Sequence, residues 1–269
     1  MSTLAQRYAA GDRVRVWNEL HARGSLADAG DAQRNDARAV AAQTMKRAAQ
    51  NVATLRLRLL DFGYVFNEPR RAHVRPNWGI ASTRRALVRT VGPLPLSLDA
   101  WFREVGYVFF RGRPSVWTGS HPWHEELLDP LEFVYSRSEI AYQLQMQAEY
   151  PDDEPPPASQ PYFESAGAFF PKPSFELVFA GDFFHKNEVS GGGPTVALLP
   201  ADTADVRILE DTGAAYTDFV NSEPGDEDGI WFVDYLRRYF ARGGFRRMRP
   251  DHVYPPAFWP GLAQGLLEI

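Results

Sequence analysis

The sequence contains no cysteine, only four methionines and no apolar run long enough to cross a membrane. The absence of cysteine excludes disulfides and thiolate chemistry, and it is compatible with a reducing cytosol. A membrane-spanning helix needs a run of about 18 apolar residues or more, so none is predicted. The first residues also lack the apolar centre of a secretory signal. We therefore predict a cytoplasmic protein that does not bind membranes.

Size and charge set the next bounds. Of the 269 residues, 44% are hydrophobic, which is enough for a sizeable core in one domain, or in one domain with an appendage. Residues 1–94 carry 16 Lys and Arg against 7 Asp and Glu, whereas residues 95–269 carry 13 against 27. The two parts therefore have net charges of +9 and −14. Either the two surfaces attract each other within one fold, or the acidic part offers a face to a basic partner.

The first 63 residues have helical patterns. Residues 3–22 predict a helix that Gly11 interrupts, so two short helices also fit. A longer helix is predicted over residues 31–60, because apolar residues recur there at helical spacing, and Gly63 should close it. Its Arg and Lys residues lack interleaved aromatics, so we interpret them as a solvated face and not as nucleic-acid contacts. Tyr64–Phe66 should open the first strand.

Residues 92–112 form the unit around which we expect the scaffold to be organised, a short helix followed by a strand. Ser97 is placed to cap the helix, and Gly106 can end it in the left-handed conformation. Residues 107–110 then predict a strand buried on both faces. Four apolar residues at helical spacing should dock on a sheet. They are Leu98, Trp101, Phe102 and Val105.

This unit also carries a family pattern. It begins with the run Gly92-Pro93-Leu94-Pro95-Leu96-Ser97 and continues into an aromatic-rich helix that closes on Val105-Gly106. The pattern resembles the "LP-x-S/D … FL/FY … G" segment of the SUKH superfamily, which contains a yeast regulator of cell-wall glucan synthesis and many bacterial immunity proteins. Residues 119–131 and the segment Phe232–Leu236 fit the same architecture. The resemblance covers roughly residues 85–245 and mostly concerns packing.

The predicted fold is α+β, with a mixed or antiparallel sheet and helices packed on one side. Residues 1–63 are predicted as a helical N-terminal extension and residues 64–269 as the SUKH-like domain. The aromatic tail after residue 245 should fold back on the core. Further elements are predicted as helices at about 82–91 and 229–242, and as strands at 127–135, 175–180 and 196–199.

One histidine pair has the residue types of a metal site. His121 and His124 lie three residues apart, beside Glu125 and Glu126. Zinc sites use such ligands when a helix aligns them, but Pro122 lies between the two histidines. We interpret this segment as a shaped turn, and we predict neither a metal nor a cofactor.

A second segment has the residue types of a small-ligand site. Asp, His and Ser are the residues of a nucleophilic triad, and consecutive glycines can form an amide nest for an oxyanion. The serine lacks the strand-to-helix elbow of the Gly-x-Ser-x-Gly hydrolases, so a tight hairpin is the competing interpretation. The candidate residues are Asp182, His185, Lys186, Asn187, Ser190, Gly191, Gly192 and Gly193.

Acidic residues concentrate in two predicted loops. They lack the calcium-loop pattern, so we interpret them as solvated loops that recognise a basic partner. Asp226 or Asp228 is also placed to cap the final helix. The predicted partner-binding residues are Asp152, Asp153, Glu154, Asp211, Asp218, Glu223, Asp226, Glu227 and Asp228.

The sequence holds no motif with the spacing that an enzyme active site needs. Together with the SUKH resemblance, this predicts a non-enzymatic intracellular immunity protein. It would neutralise a bacterial toxin domain, or a neighbouring-gene product, by direct binding. Two alternatives stay open. One is a hydrolase or small-ligand-binding enzyme that uses Asp182, His185 and Ser190, and the other is a subunit of a larger assembly that docks through its aromatic tail.

Overall fold

The computed structural model describes residues 2–114, 131–138, 140–141, 144–145, 176–178, 196–198, 202–209, 230–245 and 258–269. Within these ranges the chain is α+β, as predicted. Its helices are α1 (Leu4–Ala9), α2 (Arg13–Arg23), α3 (Asp31–Asp61), α4 (Trp78–Val91), α5 (Leu96–Glu104), α6 (Phe232–Ala241) and α7 (Phe258–Ala263). Its strands are β1 (Tyr64–Phe66), β2 (His73–Val74), β3 (Tyr107–Phe109), β4 (Gly112–Pro114), β5 (Glu132–Phe133), β6 (Glu176–Val178), β7 (Val196–Leu198), β8 (Arg207–Leu209) and β9 (Ile230–Trp231).

The N-terminal helices follow their sequence signals. Thr3 and Gln6 form a reciprocal capping box at the start of α1, which satisfies two amides that have no partner within the helix. Gly11 has a positive φ of 107° and separates α1 from α2. Two short helices are therefore confirmed in place of one. The predicted first strand at residues 64–66 is also confirmed.

The long helix α3 is the central element of the fold. It contacts α1, α5, α7, β1 and β2. Small residues on its buried face, such as Ala37, Ala41 and Ala48, let neighbouring backbones approach closely, and Val52, Leu55 and Leu59 continue the stripe. Gly63 follows at a φ of 75° and lets the chain turn into β1. The predicted bounds of this helix are confirmed to within one residue at its end.

The unit at residues 92–112 folds as a helix and a strand, with two corrections. Ser97 is not the N-cap, because Pro95 holds that position and the Ser97 hydroxyl donates to Asp205 instead. The strand is not buried on both faces, because Val108 is fully buried while Tyr107 and Phe109 on the opposite face are only half-buried. The four predicted core residues of α5 are all buried.

Two other predicted helices start at different residues. α4 begins at Trp78, earlier than predicted, because the Asn77 side chain accepts from the Ile80 amide and caps the helix. α6 has Trp231 at its N-cap, so the prediction that Asp226 or Asp228 caps this helix is wrong. The helix ends at Ala241, within one residue of the predicted end at 242, and Gly243 and Gly244 follow it with positive φ.

All strand pairings among the described residues are antiparallel. β1 pairs with β4 in a first sheet. A second sheet contains β2, β3 and β5, and in a third sheet β6 to β9 pair in sequence order. β3 lies at the centre of the second sheet, where Val108 faces His73 on one side and Phe133 on the other. The antiparallel alternative is thus the one observed, but the described strands form three small sheets and not the one predicted sheet.

Among the described residues, one hydrophobic core joins the helices and several of the strands. It includes Leu4 and Val52 from the helical N-terminal part, Trp101 and Phe232 from the rest, and Leu262 from the last helix. The tail after residue 245 therefore folds back on the core where it is described. The boundary at residue 63 stays a prediction, but α1 to α3 share the core of the later residues. In the described part of the chain, no helix has the length and apolarity that crossing a membrane requires.

The imidazole of His73 makes the stability of this core pH-dependent. Its Nε2 donates to the Val105 carbonyl at 3.0 Å. Burial lowers the pKa of His73 from its ordinary value of 6.5; the bond to Val105 opposes this, and the nearby charges of Arg75 and Arg56 add to the lowering. Below about pH 6.5 the unfolded chain therefore binds a proton that the folded chain does not.

We expect the free energy of unfolding to fall as the pH drops below about 6.5 and to level off below the folded pKa of His73. Urea unfolding at a series of pH values measures this slope. In His73→Gln, whose amide can still donate to Val105 but does not titrate, the slope between these two pKa values should be smaller. An identical slope in both proteins would assign the dependence to other groups.

Candidate functional site

The residues predicted from the sequence to form sites all lie outside the described ranges. This applies to the acidic set at 152–154 and 211–228, to the ligand set at 182–193, and to the histidine pair at 121 and 124. Their proposed roles therefore stay predictions. The described residues contain two other arrangements of interest, a buried carboxylate and an exposed apolar surface.

The buried carboxylate lies where α2, α5 and α6 meet. Asp205 is 1% exposed, and both of its oxygens are hydrogen-bonded. Oδ1 accepts from the Ser97 hydroxyl at 2.6 Å and from the Val206 amide at 2.9 Å. Oδ2 accepts from the Val233 amide at 3.2 Å and lies 2.9 Å from Nε2 of His21. Four donors thus converge on one carboxylate and tie three helices together.

The imidazole of His21 lies beside two indole rings. Trp17 precedes it by one turn on α2, with a distance of 5.6 Å between ring centroids. Trp231 stacks on it at 4.4 Å with an interplanar angle of 10°. The Arg207 guanidinium lies 4.2 Å from the centroid of Trp231. These contacts and the bond to Asp205 fix the orientation of the imidazole.

Ser97, His21 and Asp205 have the residue types of a nucleophilic triad but not its connectivity. In such a triad the histidine stands between the serine and the aspartate, so that it can take the hydroxyl proton. Here the aspartate stands in the middle, and the serine hydroxyl donates to it. The arrangement joins helices and places negative charge at the N-terminus of α6, where the helix dipole favours it.

Sequence reasoning missed both His21 and Asp205. They are 184 residues apart, and neither lies in a motif with a recognisable spacing. Ser97 was singled out, but as a helix cap. The usable signal was the position of Ser97 inside an amphipathic helix, where a buried hydroxyl needs a partner from elsewhere in the chain.

The second arrangement is a set of exposed apolar side chains on α3, on β1 and at the start of α4. The described residues include seven large hydrophobic side chains that are exposed, and five of them fall between residues 57 and 78. Trp78 is 78% exposed, an unusual position for the largest side chain. We call this set the apolar–basic surface; its apolar members are Leu57, Leu60, Phe62, Val65 and Trp78, and its basic members are Arg56, Arg70 and Arg75.

The basic members have no ion-pair partner among the described residues, unlike neighbouring Arg71, which pairs with Glu68 at 2.9 Å. Arg56 on α3 and Arg75 after β2 both act electrostatically on His73. The helix α3 contacts both β1 and β2. The arginines and the exposed apolar side chains therefore lie between residues 56 and 78 of the chain, on α3, on the two strands that contact it and on the residues between and after them.

No family model, no curated protein and no solved structure matches this chain. The SUKH assignment therefore stays a prediction based on residues 92–106 and the later segments. In the parts of the chain that the structure describes, no cluster of three or more His, Asp or Glu residues could hold a metal ion.

Proposed function

We propose that this protein is a non-enzymatic intracellular binding protein of the immunity type, which neutralises a toxin domain by covering it. The observation that carries the proposal is the apolar–basic surface. Exposed large apolar side chains that concentrate in one region are typical of protein interaction sites. An exposed tryptophan beside arginines has the composition of a binding hot spot, because Trp and Arg dominate measured interface energies.

The charge of this surface points to an acidic protein partner. Arg56, Arg70 and Arg75 lack internal counter-charges in the described residues, so a partner's carboxylates would complement them. Such complementarity mainly speeds association and selects the partner, while the apolar contact supplies most of the affinity. Leu57, Leu60 and Val65 offer no hydrogen bonds to nucleic-acid bases, which favours a protein over an RNA or DNA ligand.

The acidic loops predicted from the sequence would bind a partner of the opposite charge, a basic one. The SUKH resemblance supports an immunity role for either face and does not choose between them. The hydrolase alternative that uses Asp182, His185 and Ser190 stays a prediction, and the one Ser–Asp–His cluster in the described residues has the wrong connectivity for nucleophile activation.

The test is calorimetric binding to the product of the neighbouring gene, together with relief of that product's toxicity in cells. We expect a tight one-to-one complex. Trp78→Ala should raise the Kd by about 30-fold or more, as expected for a hot-spot residue. Arg70→Glu combined with Arg75→Glu should slow association by roughly tenfold at low salt and flatten its salt dependence.

Matched controls lie on the same part of the chain. Val14→Ala shortens an exposed apolar residue on α2, and Arg38→Glu reverses an exposed charge on α3; both should leave the Kd unchanged. If instead Asp152→Lys, Asp153→Lys and Glu154→Lys together abolish binding while Trp78→Ala does not, the acidic loops are the contact face. Absence of any complex and of any rescue would reject the immunity function itself.

A further inference from the structure

The last residues of the chain lie across α2, α3 and α6. Asn51 on α3 holds Leu267 from both sides, because its amide nitrogen donates to the Leu267 carbonyl at 2.8 Å and its oxygen accepts from the Leu267 amide at 2.7 Å. Arg47 donates to the Glu268 carbonyl at 2.5 Å. Side chains of α3 thus hydrogen-bond the backbone amide and carbonyl groups of this tail.

Two further arginines meet the tail from other helices. Arg13 on α2 donates through Nη1 to the Glu268 carboxylate at 2.8 Å. Arg237 on α6 donates through Nε to the Ile269 carbonyl at 2.7 Å and through Nη1 to Asp234 at 2.6 Å. Ile269 itself is only 1% exposed. A buried end of the tail is therefore surrounded by guanidinium groups.

Three buried donors in this place have no acceptor within the described residues. They are Tyr8 Oη, Arg13 Nε and Arg237 Nη2. The Arg13 guanidinium lies 5.8 Å from the centroid of the Tyr8 ring, and the charges of Arg47, Arg237 and Arg13 all act on the Tyr8 phenol. The Thr44 hydroxyl lies nearby and favours the phenolate, but its geometry with Tyr8 Oη is not that of a hydrogen bond.

Unpaired buried donors are rare in folded proteins because each loses its hydration without compensation. Here three such donors lie near one another among positively charged arginines. A single negatively charged group with several lone pairs could accept from all three. Burial raises the pKa of the Tyr8 phenol, so the hydroxyl keeps its proton and can donate at neutral pH. A carboxylate or phosphate group has the required acceptors.

We propose that Tyr8, Arg13 and Arg237 form an oxyanion site beside Ile269, which locks the tail onto α1, α2 and α6. The ligand is a carboxylate-type or phosphate-type oxyanion. It comes either from a main-chain carboxylate at Ile269 or from a free anion, and the test distinguishes the two sources. This inference is independent of the proposed toxin-binding function.

The direction in which one substitution shifts the Tm tests the site. Tyr8→Phe removes only the hydroxyl. If the hydroxyl donates to an oxyanion, the variant loses that bond and its Tm should fall by about 3 °C. If the hydroxyl has no acceptor, its removal relieves an unsatisfied group, and the Tm should rise or stay the same. Thermal unfolding of the full chain in a chloride buffer, with and without added phosphate, gives the answer.

Two further chains identify the source of the anion. The first is a chain with two glycines added after Ile269. If Tyr8→Phe no longer lowers the Tm of this chain, the oxyanion is the Ile269 carboxylate. An effect that survives this extension and grows with phosphate assigns it to a free anion. An effect that survives without any response to phosphate assigns the loss to a contact within the chain and overturns the site. Tyr64→Phe serves as the control, because Tyr64 donates to the Phe110 carbonyl at 2.9 Å and its loss should not depend on phosphate. A Tm of Tyr8→Phe at or above that of the parent in every buffer overturns the site.

Discussion

Replacement of Asp205 by alanine is expected to lower the free energy of unfolding by about 3–5 kcal/mol. The carboxylate accepts from Ser97, His21 and two backbone amides, and alanine leaves all four donors buried without an acceptor. One of them is the Val233 amide in the first turn of α6, so the helix also loses the negative group at its positive end. Because domains of this kind are stable by only about 5–15 kcal/mol, the loss threatens folding itself.

Urea unfolding followed by tryptophan fluorescence measures the Asp205→Ala effect. Asp28→Ala is the matched control, because Asp28 is exposed and makes no described contact; it should change stability by less than about 0.5 kcal/mol. If Asp205→Ala does not fold, Ser97→Ala gives a smaller loss of about 1–2 kcal/mol that can still be measured. A Ser97→Ala protein as stable as the parent would mean that the network is dispensable.

Among the glycines that the structure describes, Gly106→Ala is expected to be the most damaging single change, at about 4 kcal/mol or more. Gly106 has a φ of 90°, which L-residues avoid. An added Cβ would also lie far inside contact distance of the Val74 carbonyl oxygen and 3.0 Å from the Pro76 nitrogen. These are backbone atoms of β2 and the following loop, so they cannot move without breaking the β2–β3 pairing.

Gly92→Ala separates the two causes. Gly92 has nearly the same φ, 86°, but a Cβ there would meet no atom within 4 Å. Its substitution should cost only the backbone strain, about 1–2 kcal/mol. Denaturation of the two variants side by side therefore measures the steric contribution at Gly106. Equal losses would show that α5 and β2 can separate without cost.

Local sequence signals were sufficient to predict features that depend only on neighbouring residues in the chain. Gly11 separated two helices, Gly63 closed α3, and the i, i+3, i+4 and i+7 pattern of α5 identified four residues that are all buried. Such predictions need only helical periodicity and the ability of glycine to take positive φ. Both properties are readable within one or two turns of a helix.

The remaining features depend on partners far away in the chain. Ser97 has the residue type of a helix cap, but its hydroxyl donates a hydrogen bond to Asp205, which lies 108 residues later. Asp205 in turn supplies the charge at α6 that Asp226 or Asp228 was expected to supply. No spacing in the sequence connects these residues, because the contact exists only after three helices have packed.

The candidate surfaces show the same limit. Periodicity placed Leu55 and Leu59 in the core, and both are buried. It gave no reason to expect that Leu57, Leu60, Val65 and Trp78 stay exposed, since exposure depends on which elements pack beside them. The acidic and glycine-rich segments were conspicuous in the sequence, yet their roles stay predictions.

The bonds between the tail and the first helices have a consequence for synthesis. Arg13 meets Glu268 across 255 positions, and Asn51 meets Leu267 across 216. A ribosome adds about 5–20 residues per second, so α3 waits roughly 10–40 s for this partner after Asn51 has been made. During that interval the nascent chain presents unfinished apolar and cationic surfaces. The bonds of α2 and α3 to this tail therefore form only after residues 267 and 268 have been made, and chaperones can bind the exposed surfaces until then.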